Sequence, residues 1–245
     1  MHINSNSLAD NLPMSATNAS EIGQPPRVAA EIMHYSESKD GAVYKFSRRA
    51  LDIVVSAILI VVFFPLFALI SLAIWIDSPG PIFFVQTRCG YGDRNFKVWK
   101  FRTMALDAEQ RLADLLAESP EARAEYDRYH KLSNDPRITR IGRFLRKASL
   151  DELPQLLNTL KGEMSLIGPR PYLPSERPKI GPALPVILSV RPGVTGLWQV
   201  TARNNCTFAE RVAIDCAYVR QRSLKADLHI LVATVAAVVK ARGAC

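Results

Sequence analysis

The sequence predicts a mostly helical α+β protein, in which an N-terminal re-entrant membrane helix precedes a cytoplasmic domain with amphipathic interfacial helices. Three observations predict this class. Residues 53–76 contain no charged side chain. Residues 83–101 read as two strands around a turn, and most later segments carry apolar residues at helical spacing. We therefore divide the chain into a flexible polar tail (1–44), a membrane helix (45–80) and a cytoplasmic domain (81–245).

The apolar segment reads IVVSAILIVVFFPLFALISLAIWI, from Ile53 to Ile76. It is longer than the about 20 apolar residues that cross a bilayer. Pro65 lies near its centre, where a proline lacks the backbone donor and breaks or kinks a helix. Each half reaches roughly 16–18 Å at about 1.5 Å per residue, a little over half of the hydrocarbon core. The pattern therefore predicts a helix, a break at Pro65 and a second helix.

Basic residues flank this segment on both sides. Lys45, Arg48 and Arg49 precede it, and a series from Arg88 to Arg102 follows it. A spanning helix leaves its basic residues mainly on the cytoplasmic side, so a helix that returns at Pro65 satisfies the rule at both ends. Two alternatives stay open, a bitopic span kinked at the proline and a buried helix of a soluble core.

The remaining elements follow from local patterns. Alternation of apolar residues, proline and glycine punctuation, and helical spacing predict them in turn. They are a strand at 83–86, a turn at 90–93, a strand at 96–101, a helix at 106–132 broken near Ser119 and Pro120, a proline-rich connector at 174–192, a turn and strand at 191–199, and helices at 208–219 and 224–240.

The formal net charge of +8 favours an anionic partner, such as nucleic acid, an acidic membrane face or a phosphorylated substrate. We expect no nucleic-acid partner, because the chain has an apolar segment and lacks a recognisable binding module. The four cysteines and four histidines are scattered and form no zinc motif. So few cysteines in a chain of this size predict reduced thiols and no disulfide framework.

Two adjacent carboxylates, Asp151 and Glu152, follow the cations Arg143, Arg146 and Lys147. One interpretation is a capping box, with the serine at position 149 and the glutamate three residues later. That arrangement puts the proline at position 154 inside the first turn, whereas it fits better at the start of the helix. The carboxylates then lie just before a helix, and an ionised Asp is a competent nucleophile toward phosphorus. Both interpretations stay open on spacing alone.

A second group of residues is basic. Lys100 and Arg102 follow a strand, Arg146 ends a series of cations spaced by three, and Arg170 lies between two prolines. Arginine suits bidentate contact with phosphate. We expect Lys100, Arg146 and Arg170 to contact substrate phosphate and part of the series 137–143 to contact lipid headgroups. The alternative is a solvated basic face.

Near the C-terminus, Asp215, Tyr218 and Asp227 form a weaker polar set. An isolated Asp before a helix is most often a cap, so spacing gives these residues no further role.

With these residues the sequence resembles the small monotopic phosphoglycosyl transferases, the bacterial sugar transferase family. The resemblance runs from about Lys45 to the C-terminus. It is closest to the exopolysaccharide-type enzymes. The matching stretches are the proline-broken apolar segment, DSPGPIFFVQTRCG, KVWKFRTM, DPRITRIGRFLRKASLDELPQLLNTLKGEMSLIGPRP, RPGVTGLWQVTARN and DCAYVRQRSLKADLHIL.

The resemblance implies a membrane enzyme of the bacterial inner membrane, with its catalytic domain on the cytoplasmic face. It would move galactose 1-phosphate or glucose 1-phosphate from UDP-galactose or UDP-glucose to undecaprenyl phosphate, releasing UMP. It also implies a covalent phospho-sugar enzyme and Mg²⁺ as cofactor.

Carried over residue by residue, the resemblance makes Asp151 the nucleophile and Glu152 the Mg²⁺ ligand. The basic positions that would hold phosphates are Lys100, Arg102, Arg146 and Arg170. The C-terminal carboxylate that would lie near the active site is Asp227. One position departs from the family pattern, since Phe64 precedes Pro65 where many members have serine. A different class of function also stays open, a bitopic membrane scaffold or regulator with a basic cytoplasmic domain.

Overall fold

The computed structural model describes residues 41–129, 132–202 and 206–239, which form a mostly helical α+β protein. The coarse fold class is therefore confirmed. The predicted tail falls almost wholly outside the described residues, and the division of the chain at 44/45 and 80/81 stays a prediction. The helices are α1 (Ala42–Asp77), α2 (Ala108–Glu118), α3 (Pro120–Tyr129), α4 (Arg140–Ala148), α5 (Gln155–Lys161), α6 (Arg177–Ile180), α7 (Leu184–Ile187), α8 (Leu197–Thr201), α9 (Phe208–Gln221) and α10 (Leu224–Val239).

Two small sheets accompany the helices. Strands β1 (Phe83–Cys89) and β2 (Asn95–Phe101) pair antiparallel, and β3 (Ser165–Ile167) pairs parallel with β4 (Gly193–Thr195). The predicted strand–turn–strand is confirmed. The strand predicted to run to residue 199 stops at Thr195 instead, because Leu197 and Trp198 begin a helical turn that is buried in the core.

Helix α1 has 36 residues, and its most apolar window has a mean hydropathy of 3.1. It is long and apolar enough to cross a membrane, and most of that window is exposed. The helix continues through Pro65, so the predicted helix–break–helix is not seen as two separate helices. A proline removes one intrahelical hydrogen bond and leaves those on either side, which is why a helix can pass through it.

Both ends of α1 are fixed to the same domain. Near its start, Asp52 accepts hydrogen bonds from the Ser165 hydroxyl at 3.0 Å and the Leu166 amide at 2.8 Å. Near its end, Asp77 accepts one from the Ile141 amide at 3.0 Å. Ile74 packs there in a cluster that includes residues of β2 and α4. The rest of the domain thus contacts α1 on both sides of its apolar centre.

The largest core cluster lies where α8, α9 and α10 pack beneath β3 and β4. Leu197, Ile214, Tyr218 and Ile230 are all fully buried in it. Burying such side chains contributes about 1.5–3 kcal/mol each. This cluster includes Ile167, three residues before Arg170, whereas Phe101 and Leu145, the neighbours of Lys100 and Arg146, pack in a separate cluster with the end of α1.

Candidate active site

The adjacent carboxylates lie in a tight turn between two helices. Leu150–Glu152 forms one turn of 3₁₀ helix after α4. Ser149 ends α4 in the left-handed conformation with φ of 57°, and its amide donates to the Arg146 carbonyl at 3.1 Å. Pro154 directly precedes α5. The capping-box interpretation is therefore wrong, because Ser149 ends α4 and its side chain makes no capping hydrogen bond to the turn that follows.

The Lys100 ammonium contacts Glu152 directly. Lys100 is near the end of β2, on the face opposite the buried Phe101, and its Nζ lies 2.5 Å from Oε1 of Glu152. Burial works against ionisation of this carboxyl, but the charge and hydrogen bond of Lys100 hold the pKa of Glu152 below its usual value. Its side chain is 38% exposed, so one face of the carboxylate stays open to a ligand.

Asp151 has a different environment from its neighbour. Burial, together with the charge of Glu152, raises the pKa of Asp151 to about 6, while Lys100 and Arg146 act in the opposite direction. Within the described ranges, Asp151 forms no ion pair within 4.0 Å. Its carboxylate is thus held in the field of two cations without being bonded to either.

Arg146 is held in place by the close approach of α4 to the end of β2. A side chain at Gly142 would meet the Thr103 carbonyl at 2.1 Å, so only glycine fits at this point of α4. One helical turn later, Nε of Arg146 donates to the Thr103 hydroxyl at 2.9 Å. Burial lowers the pKa of Arg146. The glycine thereby allows the helix to bring a guanidinium beside the carboxylate pair.

A further arginine, Arg88 of β1, belongs to the same group, and sequence reasoning missed it. Its guanidinium donates to the Pro171 carbonyl at 3.1 Å and to the Gln86 side chain at 2.5 Å. Burial and the neighbouring Arg170 lower its pKa to about 10, and Glu152 acts against that shift. The sequence signal that could have found it is the stretch DSPGPIFFVQTRCG, which contains Arg88 and resembles the family. In the structure this arginine is buried.

Arg170 is held by a hydrogen-bond network around Asp215, a residue to which sequence reasoning assigned no role beyond a cap. Its amide donates to Asp215 at 3.3 Å, and the Tyr172 hydroxyl donates to the same oxygen at 2.8 Å. Its guanidinium lies 5.7 Å from the centre of the Trp198 ring, and Arg211 lies over that ring at 4.5 Å. Burial raises the pKa of Asp215 to about 7. Asp215 therefore positions Arg170.

Two of the expected phosphate-binding residues have other partners. Arg102 is buried and donates to the Ser78 carbonyl just after α1. Asp227 is 1% exposed, and its two oxygens accept the hydroxyls of Tyr44 at 2.9 Å and Tyr218 at 2.7 Å. In the part of the chain that the structure describes, no hydrogen bond or ion pair joins either residue to Asp151 or Glu152. A contact of either residue with substrate stays a prediction.

Glu152 is the residue that would hold a magnesium ion. Mg²⁺ is usually bound through one or two carboxylates together with substrate phosphates. Glu152 supplies a partly exposed carboxylate, with Asp151 adjacent in sequence and Arg88 and Arg170 close enough to affect its charge. Among the described residues there is no group of three acidic, histidine or cysteine side chains that forms a metal site by itself. The site fits an ion that arrives with phosphate.

Comparisons with known proteins identify the family of this chain. Residues 43–241 match the family described as bacterial sugar transferase. Exopolysaccharide production protein ExoY of Rhizobium meliloti (strain 1021) is 42% identical over 197 residues, covering 80% of this chain and 87% of that protein. An undecaprenyl-phosphate galactose phosphotransferase of Salmonella typhimurium is also 42% identical, over 200 residues, covering 82% of this chain.

A third relative, the UDP-glucose:undecaprenyl-phosphate glucose-1-phosphate transferase of Caulobacter vibrioides, is 40% identical over 196 residues, covering 77% of this chain and 68% of that protein. The chain spans only 42% of the length of the Salmonella protein. The family resemblance inferred from the sequence motifs is confirmed by these matches.

Proposed function

Because the chain belongs to the bacterial sugar transferase family, we propose that it transfers a hexose 1-phosphate from a UDP-sugar to undecaprenyl phosphate, releasing UMP. The observation that carries the proposal is the pair of adjacent carboxylates at a cationic site, where the Lys100 ammonium lies 2.5 Å from Glu152 and Asp151 feels the charges of Lys100 and Arg146. The hexose is galactose or glucose, since relatives with each name match the chain. The reaction would be the first membrane step of exopolysaccharide synthesis.

In the first step, a carboxylate oxygen of Asp151 attacks the β-phosphorus of the UDP-sugar. A bond forms between that oxygen and phosphorus, and the bond from phosphorus to the oxygen that bridges the α-phosphate breaks. The electron pair leaves with UMP. A pKa of about 6 leaves the carboxylate mostly ionised at pH 7 and more nucleophilic than an ordinary Asp. Lys100, Arg88 and Arg170 offset the charge of the diphosphate.

In the second step, a phosphate oxygen of undecaprenyl phosphate attacks the same phosphorus. The new oxygen–phosphorus bond forms as the bond to Asp151 breaks, which restores the carboxylate. Two successive displacements let one cationic site receive two bulky anions in turn. When bound, Mg²⁺ would offset phosphate charge. Glu152 would hold the ion, and Lys100 keeps this carboxyl ionised.

The attachment of α1 supports the proposed placement at the membrane. A bitopic helix separates its ends by about the 30 Å of the hydrocarbon core. Here Asp52 and Asp77, near the two ends, are bonded to the same domain. This attachment supports a helix that stays on one side of the bilayer, and we propose that the side is the cytoplasmic face of the inner membrane.

Tags distinguish this topology from the bitopic scaffold. A tag inserted at residue 5 and a tag after residue 245 should both be cleaved by protease added to inside-out vesicles. Protection of the first tag with cleavage of the second would support the bitopic alternative.

The reaction is tested by trapping the intermediate. Full-length protein, purified in detergent away from lipid acceptor, is incubated with UDP-galactose or UDP-glucose, and its peptides are analysed by mass spectrometry. We expect a hexose-phosphate adduct on Asp151 with one of the two donors. Asp114→Asn, a change at an exposed carboxyl on α2, should leave the adduct intact. An adduct on another residue, or none with either donor, would contradict the proposal.

A further inference from the structure

An unassigned cavity of about 190 Å³ lies where the N-terminal end of α1 meets the segment before β4. That volume has room for about six water molecules at about 30 Å³ each. Its walls come from the first three turns of α1, from the residues at 189–191, and from Tyr91 and Arg222. The sequence motifs gave no role to this place.

The cavity is strongly basic. Its lining holds five cations, which are Lys45, Arg48, Arg49, Arg191 and Arg222, and one carboxylate, Asp52. Between described residues, Lys45, Arg49 and Arg191 form no ion pair within 4.0 Å. Converging positive charge of this kind raises the local concentration of anions.

The cations are held in position by backbone carbonyls. Arg49 donates to the carbonyls of Thr159 at 2.7 Å and Leu160 at 2.8 Å, in the last turn of α5. Arg191 donates to the Gly162 carbonyl at 2.7 Å. Each guanidinium has further N–H groups, since arginine carries five donors. The arginines are thus fixed by neutral partners and keep their charge for another ligand.

The one carboxylate among the described lining residues already accepts hydrogen bonds. Asp52 is 3% exposed and bonded to Ser165 and Leu166, and it lies beside Arg48. Arg48 also lies 3.9 Å from a second carboxylate, Asp227, and its charge acts on both. The five described lining cations outnumber these two carboxylates, which leaves an excess of positive charge at the cavity.

We infer that this cavity binds the phosphate headgroup of an anionic phospholipid. An excess of cations around the start of the apolar helix, from Lys45 and Arg49 on the helix and Arg191 beside it, suits a phosphodiester that carries a net negative charge. The inference goes beyond the transfer reaction, because the cavity does not include Asp151 or Glu152.

The position of the cavity favours a lipid over a soluble anion. The uncharged part of α1 begins at Ile53, four residues and about 6 Å after Arg49. Ile53 and Val54 are exposed, so acyl chains could lie along them while the headgroup stays among the cations. The headgroup would then fix the depth at which α1 enters the membrane.

The test uses the full chain in detergent. Phosphatidylglycerol or phosphatidylcholine is added, and native mass spectrometry counts the lipids that remain bound. The cavity variant is Lys45→Gln with Arg191→Gln. The matched control is Lys97→Gln with Lys179→Gln, which removes the same charge from exposed positions outside the cavity.

We expect wild type and control to retain phosphatidylglycerol over phosphatidylcholine, and the cavity variant to lose this retention on the order of tenfold. Equal losses in both variants would mean general charge attraction and would overturn the inference, as would no loss in either. Lys45→Glu, at an exposed side chain, repeats the test without touching the carbonyl contacts, and thermal unfolding checks its fold.

Soluble anions distinguish the source of the phosphate. Inorganic phosphate and glycerol 3-phosphate are added as competitors to the lipid-bound protein. If the lipid is the ligand, millimolar amounts of either leave it bound. Displacement by either at such concentrations would show a site for free anions and overturn the lipid assignment.

Discussion

Asp151 and Asp227 are carboxylates of the same kind in contrasting surroundings. Asp227 is 1% exposed, and both of its oxygens accept tyrosine hydroxyls. Asp151 makes no side-chain hydrogen bond to another described residue, although Lys100 and Arg146 influence it. The contrast separates two uses of charge: a carboxylate with all its bonds made stabilises a fold, and one held near cations without bonds is free to react.

The largest expected effect on transfer comes from neutralising the reactive carboxylate of this pair. Asp151→Asn removes the nucleophile, so sugar-phosphate transfer to lipid should fall on the order of 10⁴-fold. The melting temperature should stay level or rise, since the neutral amide carries no desolvated charge. Radiolabelled UDP-sugar and membranes measure the transfer, and thermal unfolding in detergent measures stability.

The control for that variant is Asp114→Asn, which should keep wild-type transfer. Residual activity of Asp151→Asn near the wild-type level would remove this residue from the mechanism. A large drop in melting temperature would instead assign it a structural role like that of Asp227.

The second prediction acts on the structural side of the contrast. Asp227→Asn leaves a buried amide facing two tyrosine hydroxyls and Arg48, whose Nε lies 3.9 Å from the carboxylate. The free energy of unfolding should fall by about 2–4 kcal/mol. Transfer by the folded fraction should stay within a few fold of wild type.

Tyr218→Phe is the matched variant, because it removes one of the two hydrogen bonds to Asp227 and keeps the ring. It should cost about 1–2 kcal/mol in the same unfolding measurement. If Asp227→Asn kept the wild-type melting temperature and lost transfer, Asp227 would belong to the active site, as the family resemblance implies.

The sequence predicted the elements better than their contacts. Alternation around the turn at 90–93 predicted β1 and β2, because apolar period is a local property. The preference of proline for the start of a helix is also local, and Pro154 indicated that the Asp–Glu pair lies just before a helix. The burial of Asp227 could not be read in this way, since its partner Tyr44 lies 183 residues away.

The basic residues show the same limit. Motif positions suggested Lys100, Arg102, Arg146 and Arg170 together, but Arg102 bonds the Ser78 carbonyl after α1. Arg102 lies just past the end of β2, where the alternation of a strand no longer fixes the direction of a side chain, so which cation reaches Glu152 depends on tertiary packing. Arg88 joins the site from the paired strand, and that pairing is a tertiary property.

The third prediction changes the field around the reactive carboxylate. Lys100→Gln removes the charge 2.5 Å from Glu152 and one of the two cations acting on Asp151. Transfer should fall by about 10²-fold. Lys97→Gln removes the same charge from an exposed position on the same strand and should change transfer less than about twofold. Equal losses in both would mean that general charge attracts the donor.

The smallest effect is the dependence of transfer on pH. The reactive form of Asp151 is the anion, and its pKa of about 6 sets the range in which it ionises. Transfer should therefore rise about tenfold per pH unit below pH 6 and level off above it.

In Lys100→Gln this rising limb of the pH profile should move to higher pH, because a cation that lowers the pKa of Asp151 is gone. In Tyr218→Phe this limb should not move, since that tyrosine donates its hydroxyl to the buried Asp227. A profile that is flat from pH 5 to 8 in wild type would show that the ionisation of Asp151 does not limit transfer.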